Sequence, residues 1–77
     1  MYVTLKQVHH AGSIYLFEFE CDSRIGIIEL NMETQNVSLV RQMDGNTGSQ
    51  NYFRARAAIL RELKNGNIPT ETCFASA

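Results

Sequence analysis

In residues 37–65, VSLVRQMDGNTGSQNYFRARAAILRELKN, the hydrophobic pattern changes its period. Up to Met43 the apolar residues come in short alternating bursts, which is typical of half-buried β-strands. From Ser49 onward they recur at intervals of three and four residues, which indicates one face of a helix. Gly45 and Gly48 lie in the polar segment between the two patterns, where we expect a flexible connection. The stretch therefore predicts a strand that is followed directly by a helix.

The same alternation predicts three more strands toward the N-terminus. We place strands at residues 2–9, 14–20, 25–32 and 37–43, and the helix at residues 49–65. The loops between these strands are short, which suits antiparallel neighbours because a parallel crossover needs a dozen residues or more. Ser49 or Thr47 is expected to cap the start of the helix, and Gly66 and Pro69 to end it. The predicted fold is α+β: a four-stranded antiparallel meander followed by one C-terminal helix packed on one face.

The chain has 77 residues, which is the size of one small domain. We assign residues 1–69 to a single domain and residues 70–77 to a C-terminal tail. The formal net charge of −1 provides no overall positive field that would attract nucleic acid or an acidic membrane. No apolar run approaches the roughly 20 residues that span a bilayer. Because the start at Met1 lacks a basic and apolar leader and two cysteines are too few for a disulfide framework, we expect a cytoplasmic protein with free thiols.

Strand parity divides the side chains between the two faces of the predicted sheet. The face with Tyr15, Phe17 and Phe19 is expected to be the core, because aromatic rings bury the most area. The helix is expected to cover this face with the apolar stripe Tyr52, Phe53, Ile59, Leu60 and Leu63. The other predicted core residues are Val3, Leu5, Ile28, Leu30, Met32, Val37 and Leu39.

The opposite face of the predicted sheet stays bare. A helix about 10–12 Å across cannot cover four strands that span roughly 19 Å, and it covers one side only. The bare face carries six aliphatic residues: Val8, Ile14, Leu16, Ile25, Ile27 and Val40. An uncovered apolar surface of this size indicates an interface, so we expect a homodimer formed through this face or through a sheet edge. A monomer with a partly apolar sheet is the alternative.

Arg56 is the candidate contact for a ligand or an anion. On a helical wheel it falls in the middle of the predicted apolar stripe, so its guanidinium could bind an anionic ligand or a carboxylate between the helix and the sheet. In the alternative interpretation, the aliphatic part of Arg56 lies on the core and its charged head reaches solvent beside the half-covered sheet.

We predict no catalytic, cofactor-binding or metal-binding residues. His9 and His10 are adjacent on a strand, so they point to opposite faces and would not chelate one metal well. Cys21 is expected about 20 Å away from them, at the other end of a strand. Glu18 and Glu29 are diagonal neighbours on the bare face, a spacing that could suit paired-carboxylate chemistry. The solvated face of an antiparallel sheet carries such charges routinely, which is the simpler interpretation.

The leading functional hypothesis, reached by elimination, is a small non-enzymatic interaction or accessory module that is homodimeric and binds another protein. Four antiparallel strands followed by a helix is also similar to the arrangement in the PUR-repeat and whirly families, and this resemblance in element order implies single-stranded nucleic-acid binding as an alternative. Such binding requires a basic groove with stacking aromatics. The bare face instead carries three glutamates against one lysine, and Tyr2 is its only aromatic residue. A small-ligand site near Arg56 is the third hypothesis.

Overall fold

The computed structural model describes residues 2–45 and 48–75, and within them it has five strands and one helix. The elements are β1 (Tyr2–Ala11), β2 (Ile14–Cys21), β3 (Arg24–Asn31), β4 (Asn36–Arg41), α1 (Gly48–Lys64) and β5 (Glu71–Ala75). The strands form one antiparallel sheet in the order β4-β3-β2-β1-β5. The chain leaves the sheet at the β4 edge and re-enters it at the β5 edge, so α1 has to cross one face of the sheet. Among the described residues, no helix is long and apolar enough to cross a membrane.

The α+β class, the antiparallel meander of β1 to β4 and the helix that follows it are as predicted. The prediction that the helix ends the fold is wrong, because residues assigned to a tail form β5 and pair with β1. Five residues are too few to show a clear alternation. They become a strand because the outer edge of β1 offers unpaired backbone groups. The last two residues of the predicted tail, 76 and 77, lie outside the described part of the chain.

Two tight hairpins set the register of the first three strands. Gly12 has a φ of 59° at the first position of the two-residue loop between β1 and β2. Asp22 and Ser23 have φ values of 53° and 65°, and a positive φ at both loop positions is what a type I′ turn requires. Glu20 pairs with Ile25 across the second hairpin. The first predicted strand, residues 2–9, is two residues shorter than β1, which continues to Ala11.

β1 and β4 each contain one β-bulge. The extra residue is Val8 in β1 and Val40 in β4. The two bulges lie on either side of one pair of residues in the central strands, Phe17 on β2 and Ile28 on β3. Strict alternation stops at a bulge, so parity does not assign Val8 and Val40 to a face. The Val8 side chain is 45% exposed, and the Val40 side chain is 56% exposed.

The core lies between α1 and the face of the sheet that carries the phenylalanines. Its buried hydrophobic residues are Val3, Leu5, Phe17, Phe19, Cys21, Ile28, Leu30, Met43, Ala55, Ala58 and Ile59. Tyr15, Met32 and Val37 are partly buried against this cluster, as predicted. Leu39 is exposed instead of buried. The physical reason is the position of α1, which packs mainly on β5, β1 and β2 and covers little of β4 beyond Val37.

The rotation of α1 about its axis differs from the prediction. Its buried residues are Asn51, Ala55, Ala58 and Ile59. Phe53, a predicted core residue, is 64% exposed, and Arg56 is exposed rather than central to the buried side. Both predictions are wrong because the aromatic rings of the sheet already fill the layer, so that small helix residues pack against them at close distance.

The C-terminal end of α1 is as predicted. Gly66 has a φ of 83°. Its N–H donates to the Leu63 carbonyl over 2.9 Å, and the Asn67 N–H donates to the Glu62 carbonyl over 2.9 Å. This pair of bonds is the Schellman motif, which a glycine in the left-handed region allows. The predicted capping residues at the start, Thr47 and Ser49, have side chains outside the described part of the chain.

Candidate interaction surface

The face of the sheet that is turned away from α1 is here named the open face. Its central residues alternate along β2 and β3: Ile14, Leu16, Glu18 and Glu20, and Ile25, Ile27, Glu29 and Asn31. From β1 and β5 it receives Tyr2, Thr4, Lys6, Glu71, Cys73 and Ala75. The open face is therefore built mainly from alternate side chains of β1, β2, β3 and β5, on the side of the sheet away from the helix.

Aliphatic and acidic side chains alternate across the centre of the open face. Leu16 pairs with Glu29, and Ile27 pairs with Glu18, so the two glutamates are diagonal neighbours, as predicted. Leu16 and Ile27 are partly buried among their neighbours, and Ile25 is 42% exposed. The structure thus brings together the predicted interface residues of β2 and β3. The other two, in β1 and β4, lie at the flanking bulges.

A shallow groove of ≈ 450 Å³ lies on the open face above β5, β1, β2 and the start of β3. Lys6 lies in it between two carboxylates, since it pairs with Glu18 on β2 and with Glu71 on β5. Opposite charges on directly paired residues stabilise an antiparallel sheet. Glu20 also lines the groove, so its lining carries three carboxylates and one ammonium group. The groove is acidic and suits a cationic group of a partner.

Tyr2 and Cys73 form the polar contact at one end of this groove. A hydrogen bond to Cys73 raises the pKa of the Tyr2 hydroxyl, and the charge of Cys73 and desolvation act in the same direction. The second thiol, Cys21, is buried on the core side, and neither cysteine is in a disulfide. Within residues 2–45 and 48–75, no group of three or more His, Cys, Asp or Glu side chains could hold a metal ion.

The two histidines lie at the far end of β1. His9 pairs with Leu16, whereas His10 pairs with Tyr15 and stacks on its ring at a centroid distance of 3.9 Å. The two rings therefore belong to opposite faces of the sheet, as predicted.

The side of α1 that faces away from the sheet is a second exposed apolar surface. Phe53, Ala57 and Leu60 recur there at intervals of four and three residues, with the exposed cations Arg56 and Lys64 beside them. These five residues are here named the outer stripe. The sequence interpretation missed it by placing Phe53 and Leu60 in the core. The signal that could have revealed it is the competing stripe of small residues, Ala55 and Ala58, which the core requires.

Arg56 and Arg61 of α1 differ in their contacts. Arg61 is fastened to β5, because its Nη2 donates to the Thr72 Oγ1 over 2.9 Å and to the Cys73 carbonyl over 3.1 Å. The predicted ligand contact, Arg56, is exposed on the helix, on the other side of the sheet from the groove. The structure therefore does not bring Arg56 together with the groove residues of its own chain.

Two apolar surfaces, the open face and the outer stripe with Phe53, therefore stay uncovered on opposite sides of the molecule. No protein-family model, no curated protein and no solved structure matches the chain.

Proposed function

We propose that the protein is a non-enzymatic interaction module that associates with a second copy of itself through the open face. This proposal is supported by the position of α1, which covers one face of the sheet only. The open face presents Leu16, Ile25 and Ile27 among charged side chains. A homodimer is the smallest assembly of this kind. It suits an accessory factor that binds other proteins rather than one that transforms a substrate.

The size of the open face agrees with this proposal. The molecule measures 32 × 25 × 17 Å, and the product of the two longer dimensions, about 800 Å², is an upper limit for the area of one broad side. A standard protein interface buries about the same area on each partner. A chain of 77 residues buries only about 60% of its unfolded surface by itself, so covering the open face would add stability that a small core lacks.

The chemistry of the groove supports a binding role over a catalytic one. A cysteine acts as a nucleophile when a neighbouring base removes its proton. Tyr2 contacts Cys73, but a tyrosine hydroxyl of ordinary pKa near 10 is protonated at neutral pH, and this contact raises the pKa further, so Tyr2 does not serve as the base. The same surface disfavours nucleic acid, since Glu18, Glu20 and Glu71 around Lys6 repel phosphates. Free thiols at Cys21 and Cys73 suit a reducing compartment such as the cytoplasm.

The test is the solution mass, measured by size-exclusion chromatography with light scattering over a range of concentrations. We expect the mass of the wild type to rise above the 8.7 kDa of one chain as the concentration increases. Leu16→Glu should stay at the mass of one chain, because assembly would bury a third carboxylate beside Glu18 and Glu29.

Gln35→Glu is the matched control for this variant. It adds the same charge with almost no change of shape at an exposed residue of the turn between β3 and β4, so it should assemble like the wild type. A wild-type protein that keeps the mass of one chain up to about 1 mM, the dissociation constant of a very weak complex, would contradict the proposed function.

A further inference from the structure

We propose that the association is head-to-tail: the outer stripe of α1 in one copy docks on the open face of the next copy. This inference rests on the proposed self-association and specifies which surface of the second copy occupies the open face. It assigns a partner surface to Phe53 and Arg56, which the fold of a single chain leaves exposed.

The charges of the two surfaces are complementary. The charged residues of the outer stripe are the two exposed cations Arg56 and Lys64. Those of the open face are Glu18, Glu20, Glu29 and Glu71 against Lys6 and, at the β4 edge, Arg41. Oppositely charged surfaces attract and orient each other, whereas like charges brought together are costly. A symmetric contact of two open faces would place the acidic surface on a copy of itself, so the charge pattern favours the helix as the occupant.

On each of the two surfaces an apolar group lies beside a charged group, and the two spacings are similar. On α1, Phe53 and Arg56 are three residues apart, which places an apolar and a cationic group about 5–6 Å from each other. On the open face, Ile27 pairs directly with Glu18, which places an apolar and an acidic group about 5 Å from each other. Ala57 separates Phe53 from Leu60, and its small side chain allows the helix to approach the sheet closely.

The two surfaces also match in length. A helix of 17 residues is about 25 Å long, and strands of 8 residues such as β2 and β3 are about 26 Å long. In the assembly each inner sheet would have a helix on both faces, one from its own chain and one from its neighbour. A sheet covered by helices on both sides is a common stable layer arrangement.

The position of the two surfaces decides the kind of assembly. The outer stripe points away from the sheet on one side of the molecule, and the open face lies on the other side. A contact between two different surfaces is heterologous, so it leaves one surface of each kind free at the ends of the assembly. A dimer is then the first step toward longer chains, and the mass should continue to rise with concentration rather than stop at two copies.

A mixing experiment tests this arrangement. Leu16→Glu disables the open face, and Phe53→Glu disables the outer stripe. Each variant alone should keep the mass of one chain, 8.7 kDa, in light scattering. The equimolar mixture should form a 1:1 complex of twice that mass, because one variant contributes an intact helix and the other an intact open face. Gln35→Glu, mixed with either variant, should still form the longer assemblies of the wild type in part.

The other results separate this inference from the proposed function. If Phe53→Glu assembles like the wild type and the mixture forms no 1:1 complex, the head-to-tail arrangement is overturned while assembly through the open face stands. If the wild type stays monomeric, both fail. Should circular dichroism show that Leu16→Glu is unfolded, Ile25→Arg takes its place, since Ile25 is 42% exposed and tolerates a polar side chain.

Ionic strength provides a second measurement on the wild type. Salt screens the interaction between exposed charges that lie farther apart than the Debye length, which falls from about 10 Å at 0.1 M to about 3 Å at 1 M. A head-to-tail contact between opposite charges should therefore weaken as salt is raised, and the mass at fixed concentration should fall. A mass that rises with salt would indicate that acidic open faces meet each other, and it would overturn the head-to-tail arrangement.

Discussion

The two sides of α1 contradict the usual ranking of residues by hydrophobicity. The buried side presents Ala55 and Ala58 to the sheet, whereas the outer side carries the exposed ring of Phe53. The sheet beneath the helix supplies the large rings, Phe17 and Phe19, and both are fully buried. Protein interiors are close-packed, so a layer that already contains large rings accepts small residues opposite them. The comparison teaches that complementarity of size across the layer decides which side of a helix faces the core.

Hydrogen bonds fix the same rotation of the helix. The buried Asn51 donates from its Nδ2 to the Met43 Sδ over 3.3 Å and accepts at its Oδ1 from Arg54 over 3.0 Å. The Tyr52 hydroxyl donates to the Val37 carbonyl over 3.2 Å, which joins the start of α1 to β4. A buried amide that lost its partners would cost about 1–3 kcal/mol, so these bonds oppose any rotation that would bring Phe53 inward.

The largest expected effect comes from truncating one residue on each side of α1. Ile59→Ala should lower the free energy of unfolding by about 2–5 kcal/mol, because Ile59 is fully buried and its removal leaves a cavity. Phe53→Ala should change it by no more than about 0.5 kcal/mol, because the ring is mostly exposed and alanine favours the helix. Urea unfolding measured by circular dichroism at low protein concentration checks both.

Low concentration matters here because association would stabilise the folded chain and add to the apparent effect of Phe53. Equal losses of unfolding free energy for the two variants would contradict the difference between the two sides of α1. They would show that α1 is rotated as its hydrophobic pattern alone predicts.

A smaller effect is expected where the sheet itself combines a large ring with a small residue. A Cβ at Gly26 would clash with the ring of Phe19 and lie 2.9 Å from the Arg41 carbonyl oxygen. Gly26→Ala should therefore cost about 1–3 kcal/mol through overpacking, measured by the same urea unfolding.

The double variant Gly26→Ala/Phe19→Leu checks the cause of this loss. If the clash with the ring is responsible, the two substitutions should be less costly together than the sum of each alone. Strict additivity would mean that the ring does not lie over Gly26, and that the covered face is packed less closely than the comparison requires.

The fold could be predicted from the sequence wherever an element contains its own signal. β2 and β3 alternate over eight residues without interruption, and Gly66 marks the end of the helix by itself. β5 has no such signal, because Glu71–Ala75 is short and its pairing depends on the free edge of β1. A strand that depends on a distant edge is decided by tertiary structure and cannot be found by its local pattern.

The candidate surface could be predicted in part for the same reason. Parity places Leu16 and Ile27 together on the open face, because β2 and β3 are regular. It fails at Val8 and Val40, since a bulge inserts one residue that the alternation does not reveal. The outer stripe could not be predicted because α1 carries two overlapping apolar sides. The shape of the sheet decides between them, and this shape is not visible in the helix sequence.

The smallest expected effect lies on the open face, where side chains have the fewest neighbours. Cys73→Ala removes the hydrogen bond and the charge that raise the pKa of Tyr2, so this pKa should fall toward the ordinary tyrosine value near 10. A raised pKa in the folded state means that the contact stabilises the fold below the unfolded value and loses this contribution as the pH rises through the folded value. The difference in stability between wild type and variant should thus be present at neutral pH and disappear as the pH rises through the alkaline range.

Absorbance of the ionised phenol, followed in an alkaline titration, measures this shift directly. One of the three tyrosines should ionise at lower pH in Cys73→Ala, and Tyr2→Phe should remove that component from both curves. Identical curves for wild type and Cys73→Ala would mean that Tyr2 and Cys73 do not meet in solution. The end of the groove would then be open to a partner, and the contrast with the fixed contacts on the helix side of the sheet would be greater still.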